Sequence, residues 1–175
     1  EEAGQFSLAN LVAASVHAKN LLLLGDPRQL PQVTQGVHPE PIDESALGWL
    51  MRGAAVMPPE HGYFLETTHR MHTDVCRVVS NLAYDGRLHS DPRTSQRSLA
   101  GIDPGVHAMP VPHSSCGTHS PEEVQAIVEL TRRLLGAAWN DGKRTRPLEE
   151  TDVLLIAPYN RQVAALRKAF ELNGM

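Results

Sequence analysis

A chain of 175 residues can bury one ample core or two small ones. Its 41% hydrophobic and 21% charged composition is that of an ordinary globular protein, and a formal net charge of −4 gives no basic bulk field for a polyanion. No apolar run nears the length of a membrane-spanning helix, which excludes a membrane partner of that kind, and two cysteines, Cys76 and Cys116, are too few for a disulfide framework.

In chain order, Ser7 is an N-cap candidate, and Leu8, Leu11, Val12 and Val16 recur at helical spacing, which predicts a short helix over 8–18. Leu21–Leu24 then reads as a strand buried on both faces, as in a parallel sheet. A Pro- and Gly-rich stretch over 34–62 surrounds one amphipathic helix, Ser45–Met51, and Tyr63–Leu65 reads as another strand. Val75, Val78, Val79 and Leu82 predict a helix between Met71 and Tyr84, ended by Asp85-Gly86 and followed by about twenty loop-like residues. Val106–Val111 reads as a strand. The next helix is the most clearly signalled: Ser120 caps it, Pro121 takes its first position, Glu123 completes a capping box, and Val124, Ile127, Val128, Leu134 and Leu135 form its stripe. Asp141-Gly142 and a basic loop lead to a fully apolar strand at Val153–Ala157, which Pro158 ends. A last helix over Asn160–Asn173 places Val163, Leu166 and Phe170 on one side. Apolar strands alternating with amphipathic helices predict an α/β fold with mainly parallel sheets, whose ligand sites lie beyond the carboxyl ends of strands. The loops after Leu24 and Ala157 are therefore the places to seek chemistry.

The N-terminal Glu1-Glu2-Ala3-Gly4-Gln5 sets two carboxylates side by side. One such group can hold magnesium while its neighbour orients a water toward a phosphate; a charged tail is the plainer reading. In Gly25-Asp26-Pro27-Arg28-Gln29-Leu30-Pro31 the glycine permits a tight turn and the prolines stiffen it. That loop can present the Gln29 amide to a terminal phosphate or to the attacking water, with Asp26 in the same polar network. Arg70, in Leu65-Glu66-Thr67-Thr68-His69-Arg70-Met71-His72, stands beside a helix start, where it can neutralise charge in phosphoryl transfer. Local basic clusters at Arg87, Arg93, Arg97 and at Lys143, Arg144, Arg146 read as solvated loops. His107, His113, Cys116 and His119 include the ligand types of a zinc site, but their irregular spacing favours an ordinary loop. Cys76, on an apolar helix, reads as a core residue.

Taken together and in order, EEAGQ, GDPRQLP, THRMH and Ala157-Pro158-Tyr159-Asn160-Arg161-Gln162 resemble motifs II, III, IV and a following nucleic-acid motif of superfamily 1 helicases. The likeness is closest to the branch that includes the nonsense-mediated-decay helicase and the nuclease–helicases of DNA repair. The stretch GDPRQLPQVTQGVHPEP is similar to bacterial proteins that join a RecB-like nuclease to such a helicase. The resemblance implies parts of two RecA-like P-loop NTPase domains, the end of the first over 1–68 and the start of the second over 69–175.

It further implies ATP and Mg2+ as cofactors, closed in an interdomain cleft. Glu1 falls where the family usually has the magnesium-associated Asp, and Glu2 matches the water-activating carboxylate. Gln29 matches the γ-phosphate-sensing glutamine, and Arg70 the arginine that reaches the γ-phosphate from the second domain. Gln5 and Asp26 join them in the nucleotide site, while Pro158, Tyr159, Asn160 and Gln162 match a segment lying along single-stranded nucleic acid, where a Tyr ring can stack and amides can bind phosphates. The family often has Gln-Tyr before that arginine; here Thr68-His69 stands there. DNA is favoured over RNA by the nuclease–helicase likeness, while the low cysteine usage, apart from the resemblance, favours a reducing, cytoplasmic setting. An RNA helicase with the same ATPase core and a non-catalytic binding module are the alternatives.

No Gly-x-x-x-x-Gly-Lys-Ser/Thr phosphate loop occurs; Gly136…Gly142-Lys143-Arg144 has one intervening residue too many and lacks the hydroxyl. The chain therefore reads as a piece of a longer protein, itself hydrolysing little or no ATP. Sheets cut in this way expose strand edges that invite dimerisation or domain exchange.

Overall fold

The computed structural model describes residues 1–30, 33, 36–114 and 116–175. They form two compact units, one of Glu1–Thr68 with Cys76–His89 and one of His69–Val75 with Ser90–Met175. The stretch after Cys76 thus packs with the N-terminal residues.

In the first unit, α1 (Leu8–Ser15) and α2 (Ala46–Met51) start as their serines predict. Ser7 Oγ accepts the Asn10 N–H at 3.3 Å, and Ser45 Oγ accepts that of Gly48 at 3.0 Å. The two helix starts are stitched together, Leu8 N donating to Glu44 O and Ala46 N to Phe6 O. Ala3, Ala46, Leu47, Met51 and Cys76 form the buried core. The expected apolar stripe of α1 buries no residue, and Val12 and Val16 are exposed. Strand β1 is Thr67–Thr68, and α3 runs over Thr73–Ala83. The Asp85-Gly86 stop behaves as predicted: both take positive φ, 51° and 73°, and Gly86 N donates to Ser80 O at 3.0 Å. The chain then returns, with Leu88 N donating to Ser80 Oγ and His89 N to Glu66 O, to enter β2 (His89–Ser90). Cys76 is buried as expected, and burial pushes its thiol pKa up.

In the second unit a 3-10 turn, Pro92–Gln96, precedes β3 (Ser98–Leu99), and α4 (Pro121–Leu134) packs on α5 (Asn160–Leu172). Val124, Val128 and Leu166 are buried, each contributing about 1.5–3 kcal/mol relative to exposure. Strands β4 (Ala138–Asn140) and β5 (Thr145–Pro147) complete an antiparallel sheet of order β3-β4-β5, with Trp139 opposite Leu99 and Arg146. The segment expected as a basic loop is therefore a hairpin. Asp141 Oδ1 accepts the N–H groups of Lys143 and Arg144, Asn140 Oδ1 accepts that of Gly142, and Gly142 takes φ 93°.

The chain is α/β as expected, and the ladders of the β3-β4-β5 sheet are antiparallel. Leu21–Leu24, Tyr63–Leu65, Val106–Val111 and Val153–Ala157 carry no strand ladder. Their apolar side chains stand largely open, Leu22 at 81%, Tyr63 at 96% and Ile156 at 84%. An apolar run specifies burial, but a parallel strand takes its ladder from neighbours distant in sequence, and the described residues do not supply those neighbours here.

Candidate functional site

Within the first unit, EEAGQ and the GDPRQ turn lie against each other. Ala3 N donates to Leu24 O at 2.9 Å. A Cβ on Gly4 would lie 2.2 Å from the Asp26 carbonyl oxygen, and one on Gly25 would lie 2.6 Å from Ala3 N. Both glycines are thus required by close backbone approach, one from each loop. Glu1 and Glu2 are exposed, and Glu2 has φ 57°, a left-handed conformation that costs a non-glycine residue about 1–2 kcal/mol. Strain of this kind clusters at working sites. Gln5 Nε2 donates to Glu2 Oε2 at 3.4 Å.

Asp26 organises its loop. Its Oδ1 accepts the Arg28 N–H at 3.0 Å, its carbonyl accepts the Gln29 N–H at 3.3 Å, and its Oδ2 accepts the Gln29 side-chain amide at 3.3 Å. The same Oδ2 accepts the Tyr84 hydroxyl at 2.6 Å. Arg28, given no role by the sequence, donates to the carbonyl oxygens of Ala54 at 2.8 Å and Ala55 at 3.3 Å, tying the loop to the segment after α2. Pro31, expected to stiffen the loop, lies outside the described residues. Glu1, Glu2, Gln5, Asp26 and Gln29 therefore belong to one neighbourhood built from two loops. With Asp26 engaged, the exposed Glu1 and Glu2 carboxylates are the oxygen donors suited to magnesium, which needs only one or two carboxylates beside waters and phosphate oxygens.

Arg70 belongs to the second unit, where its backbone is held from behind. Arg97 donates to the carbonyl oxygens of Arg70 and, at 3.4 Å, of His69. His69 Nδ1 lies 2.8 Å from Asp91 Oδ2, and Arg93 grips the same carboxylate through Nε at 3.0 Å and Nη2 at 2.7 Å. Asp91 also accepts the Arg93 N–H, as N-cap of the 3-10 turn. Arg93 and Arg97 are thus structural partners, and so is Arg87, which pairs with Glu66 in the first unit at 2.8 Å. Arg87 and Arg93 remain exposed, in keeping with the solvated-loop expectation, but each also has a specific partner. In the hairpin, Arg146 forks onto both oxygens of Asp152 at 2.6 Å.

These pairings carry a pH dependence. The Arg93 guanidinium holds the Asp91 carboxyl well below its usual range, and the Arg146 guanidinium holds that of Asp152 at about 2. A carboxylate depressed on folding stabilises the fold fully above its ordinary value, 3.8 here, and loses that contribution as pH falls through the folded value. The second unit should therefore show a melting temperature insensitive to these groups near neutrality and falling steeply between about pH 4 and 2. A flat profile across that window in thermal denaturation would rule out the assignment.

At the start of α5, Tyr159 is the N-cap residue, its side chain makes no capping bond, and it is 52% exposed. Pro158 and Asn160 are exposed beside it. Gln162 differs from the expectation of an amide facing nucleic acid. It is buried, its Oε1 accepts the Ser120 N–H at 2.9 Å, and its Nε2 donates to Glu123 Oε2 at 3.2 Å. Glu123 was expected to close a capping box on Ser120 directly. Ser120 Oγ does accept the Glu123 N–H, but Gln162 bridges the return arm and locks α5 onto the start of α4.

Among the described residues no group of three or more His, Cys, Asp and Glu side chains is placed to hold a metal. His107 Nε2 lies 2.8 Å from the Asp103 carbonyl oxygen, and Cys116 Sγ lies 3.7 Å from Glu122 Oε2. No helix of the described residues is long and apolar enough to cross a membrane. Sequence reasoning missed Tyr84 and Asp91. Tyr84 meets its partner 58 residues away, and nothing local marks it; the Asp-Pro step at Asp91 did offer an N-cap signal.

The chain is 26% identical over 190 residues to the 3'-5' exoribonuclease HELZ2 of Mus musculus, covering 97% of this chain and 6% of that protein. It is 25% identical over 179 residues to the DNA polymerase alpha-associated DNA helicase A of Saccharomyces cerevisiae, covering 90% and 26%. It is 26% identical over 192 residues to the DNA-binding protein SMUBP-2 of Mesocricetus auratus, covering 97% and 18%. The chain thus spans about a quarter or less of the length of these relatives. No solved structure gives a significant match. The family model described as an AAA domain matches residues 42–174, most of the chain. The chain therefore belongs to the AAA-domain family, and its relatives support the likeness to superfamily 1 helicases that its motifs carry.

Proposed function

We propose that this chain is part of an ATP-dependent superfamily 1 helicase that couples ATP hydrolysis to movement along single-stranded nucleic acid. The observation that supports this most is the seating of EEAGQ against GDPRQ, which gathers Glu2, Gln5, Asp26 and Gln29 in one compact unit. In the proposal Glu1 holds Mg2+, Glu2 takes a proton from the attacking water, and Gln29 contacts the γ-phosphate. Arg70, its backbone fixed by Arg97, meets the developing negative charge in the parent protein. Pro158, Tyr159 and Asn160 lie along the nucleic acid, with Tyr159 offering its ring for stacking, while Gln162 positions that segment from within. The phosphate loop belongs to the remainder of the parent, so this piece alone hydrolyses little ATP.

DNA is the proposed track, supported by two relatives whose names specify DNA. The exoribonuclease among the relatives favours RNA as the second reading, and keeps a nuclease attached to the parent within the proposal. The test is ATP hydrolysis and strand displacement by the full-length parent on DNA and RNA tracks. Stimulation by single-stranded DNA well above RNA is the expected result. Stronger stimulation by RNA would reverse the choice of track. Hydrolysis indifferent to both would indicate a nucleotide-binding regulator, and no hydrolysis a non-catalytic module.

A further inference from the structure

We propose that Tyr84 is a positioning residue for Gln29, acting through Asp26. This deepens the reading of Gln29 as the phosphate-contacting amide and rests on it. All the groups involved belong to the first unit. Asp26 Oδ2 is shared by two donors, the Tyr84 hydroxyl at 2.6 Å and the Gln29 amide nitrogen at 3.3 Å. Its other oxygen accepts the Arg28 N–H at 3.0 Å. Tyr84 therefore fixes the carboxylate that fixes the glutamine. Without the phenol, Oδ2 keeps, among the described residues, the long amide bond alone, and the carboxylate is held chiefly through the Arg28 N–H on its other oxygen.

The phenol is itself well anchored. Its ring stacks on Phe64 at 5.7 Å between centroids and 29° between planes, and the Arg87 guanidinium covers that Phe64 ring at 5.7 Å. Arg87 in turn pairs with Glu66 at 2.8 Å. Tyr84 also occupies the turn that closes α3, where Arg87 N donates to its carbonyl. The phenol stays a donor across the physiological range, because burial, then the bond to Asp26, push its pKa up to about 12. A helix end, an aromatic stack and a hydrogen-bonded carboxylate thus converge on one amide. The orientation of that amide is set through Asp26 by a residue 58 positions from Asp26 in sequence.

The experiment uses the full-length parent and follows ATP hydrolysis with saturating single-stranded DNA or RNA, whichever stimulates it. Tyr84→Phe keeps the stack on Phe64 and removes the hydroxyl alone. It should lower kcat about 10-fold while KM for ATP holds and the melting temperature falls by less than in Tyr84→Ala, because misorientation of a reacting contact is felt in the transition state. In a Gln29→Ala background the same change should cost nothing further, since its only route is through Gln29. Tyr84→Ala, which also breaks the stack, should lower the melting temperature and so separate packing from positioning. The proposal is overturned if Tyr84→Phe leaves kcat unchanged, lowers the melting temperature as much as Tyr84→Ala does, or lowers kcat equally with and without Gln29. If Gln29→Ala itself leaves hydrolysis unaltered, the reading of Gln29 falls and this proposal with it. If Gln29→Ala disables hydrolysis and Tyr84→Phe does not, the positioning role alone falls.

Discussion

In the full-length parent, Glu2→Gln should lower the rate of ATP hydrolysis about 100-fold or more, with ATP binding retained. General-base catalysis is worth roughly 10² to 10⁴ in rate, and two decades correspond to about 2.7 kcal/mol of barrier. The amide keeps the size and shape of the carboxylate but cannot accept a proton. It also keeps the Cβ, so the left-handed backbone at φ 57° is strained to the same degree in both proteins and folding is not the variable. Among the described residues, the one side-chain bond made to Glu2 is the 3.4 Å bond from Gln5, too long for its loss to matter to stability. A kcat effect without a KM effect is therefore the signature. Glu1→Asp makes the informative companion, since it restores the side chain the resemblance leads one to expect and should preserve or raise turnover. If Glu2→Gln retained normal turnover in steady-state assays, Glu2 could not be the base.

What the sequence makes legible is local. Helix starts at Ser7, Ser45 and Ser120 and the stop at Asp85-Gly86 are written within a few residues and form as expected, and of the five stripe residues expected for α4, Val124 and Val128 are fully buried. Strand pairing is not local. Leu21–Leu24 and Val153–Ala157 announce burial but not a neighbour, and the described residues of this chain provide no ladder for them. Since the relatives extend far beyond this chain, we propose that the missing neighbours come from the rest of the parent. The hairpin at Asn140–Thr145 shows the opposite failure. Its Asp-Gly turn was visible, but the short polar strands around it lack apolar alternation.

The candidate site divides along the same line. Two motifs 20 residues apart could each be read as phosphate chemistry from residue type alone, and the structure seats them together in one unit. What supports them was not readable. Arg28 reaching Ala54, Arg97 reaching Arg70, Tyr84 reaching Asp26 and Gln162 reaching Ser120 are contacts between residues 26 to 58 apart. The same side chains would serve equally well as solvated charges or surface amides. Nor were the partners of the local basic cluster legible: Arg87, Arg93 and Arg97 each hold a specific carboxylate or carbonyl.

Gly4→Ala should destabilise the first unit by about 1–3 kcal/mol or more, the range for an overpacked site. The added methyl would sit 2.2 Å from the Asp26 carbonyl oxygen, 2.5 Å from its carbon and 2.9 Å from Pro27 N. All three are backbone atoms, so no side chain can swing aside, and one loop must move off the other. Gly4 does not take a positive φ, which leaves the clash as the whole of the effect. Gly117→Ala is the control, because among the described residues nothing lies within 4 Å of its would-be Cβ and its φ is not positive either. It should change stability by less than about 0.5 kcal/mol. Differential scanning calorimetry of the two variants in the full-length parent separates the cases. Equal melting temperatures would mean that EEAGQ and GDPRQ are not held in backbone contact. If Gly4→Ala melts early, ATP hydrolysis measured well below its transition should still be impaired, because the displaced loop carries Gln29 away from Glu2. Stability and turnover then fall for one geometric reason, which distinguishes this glycine from one needed only to complete a turn.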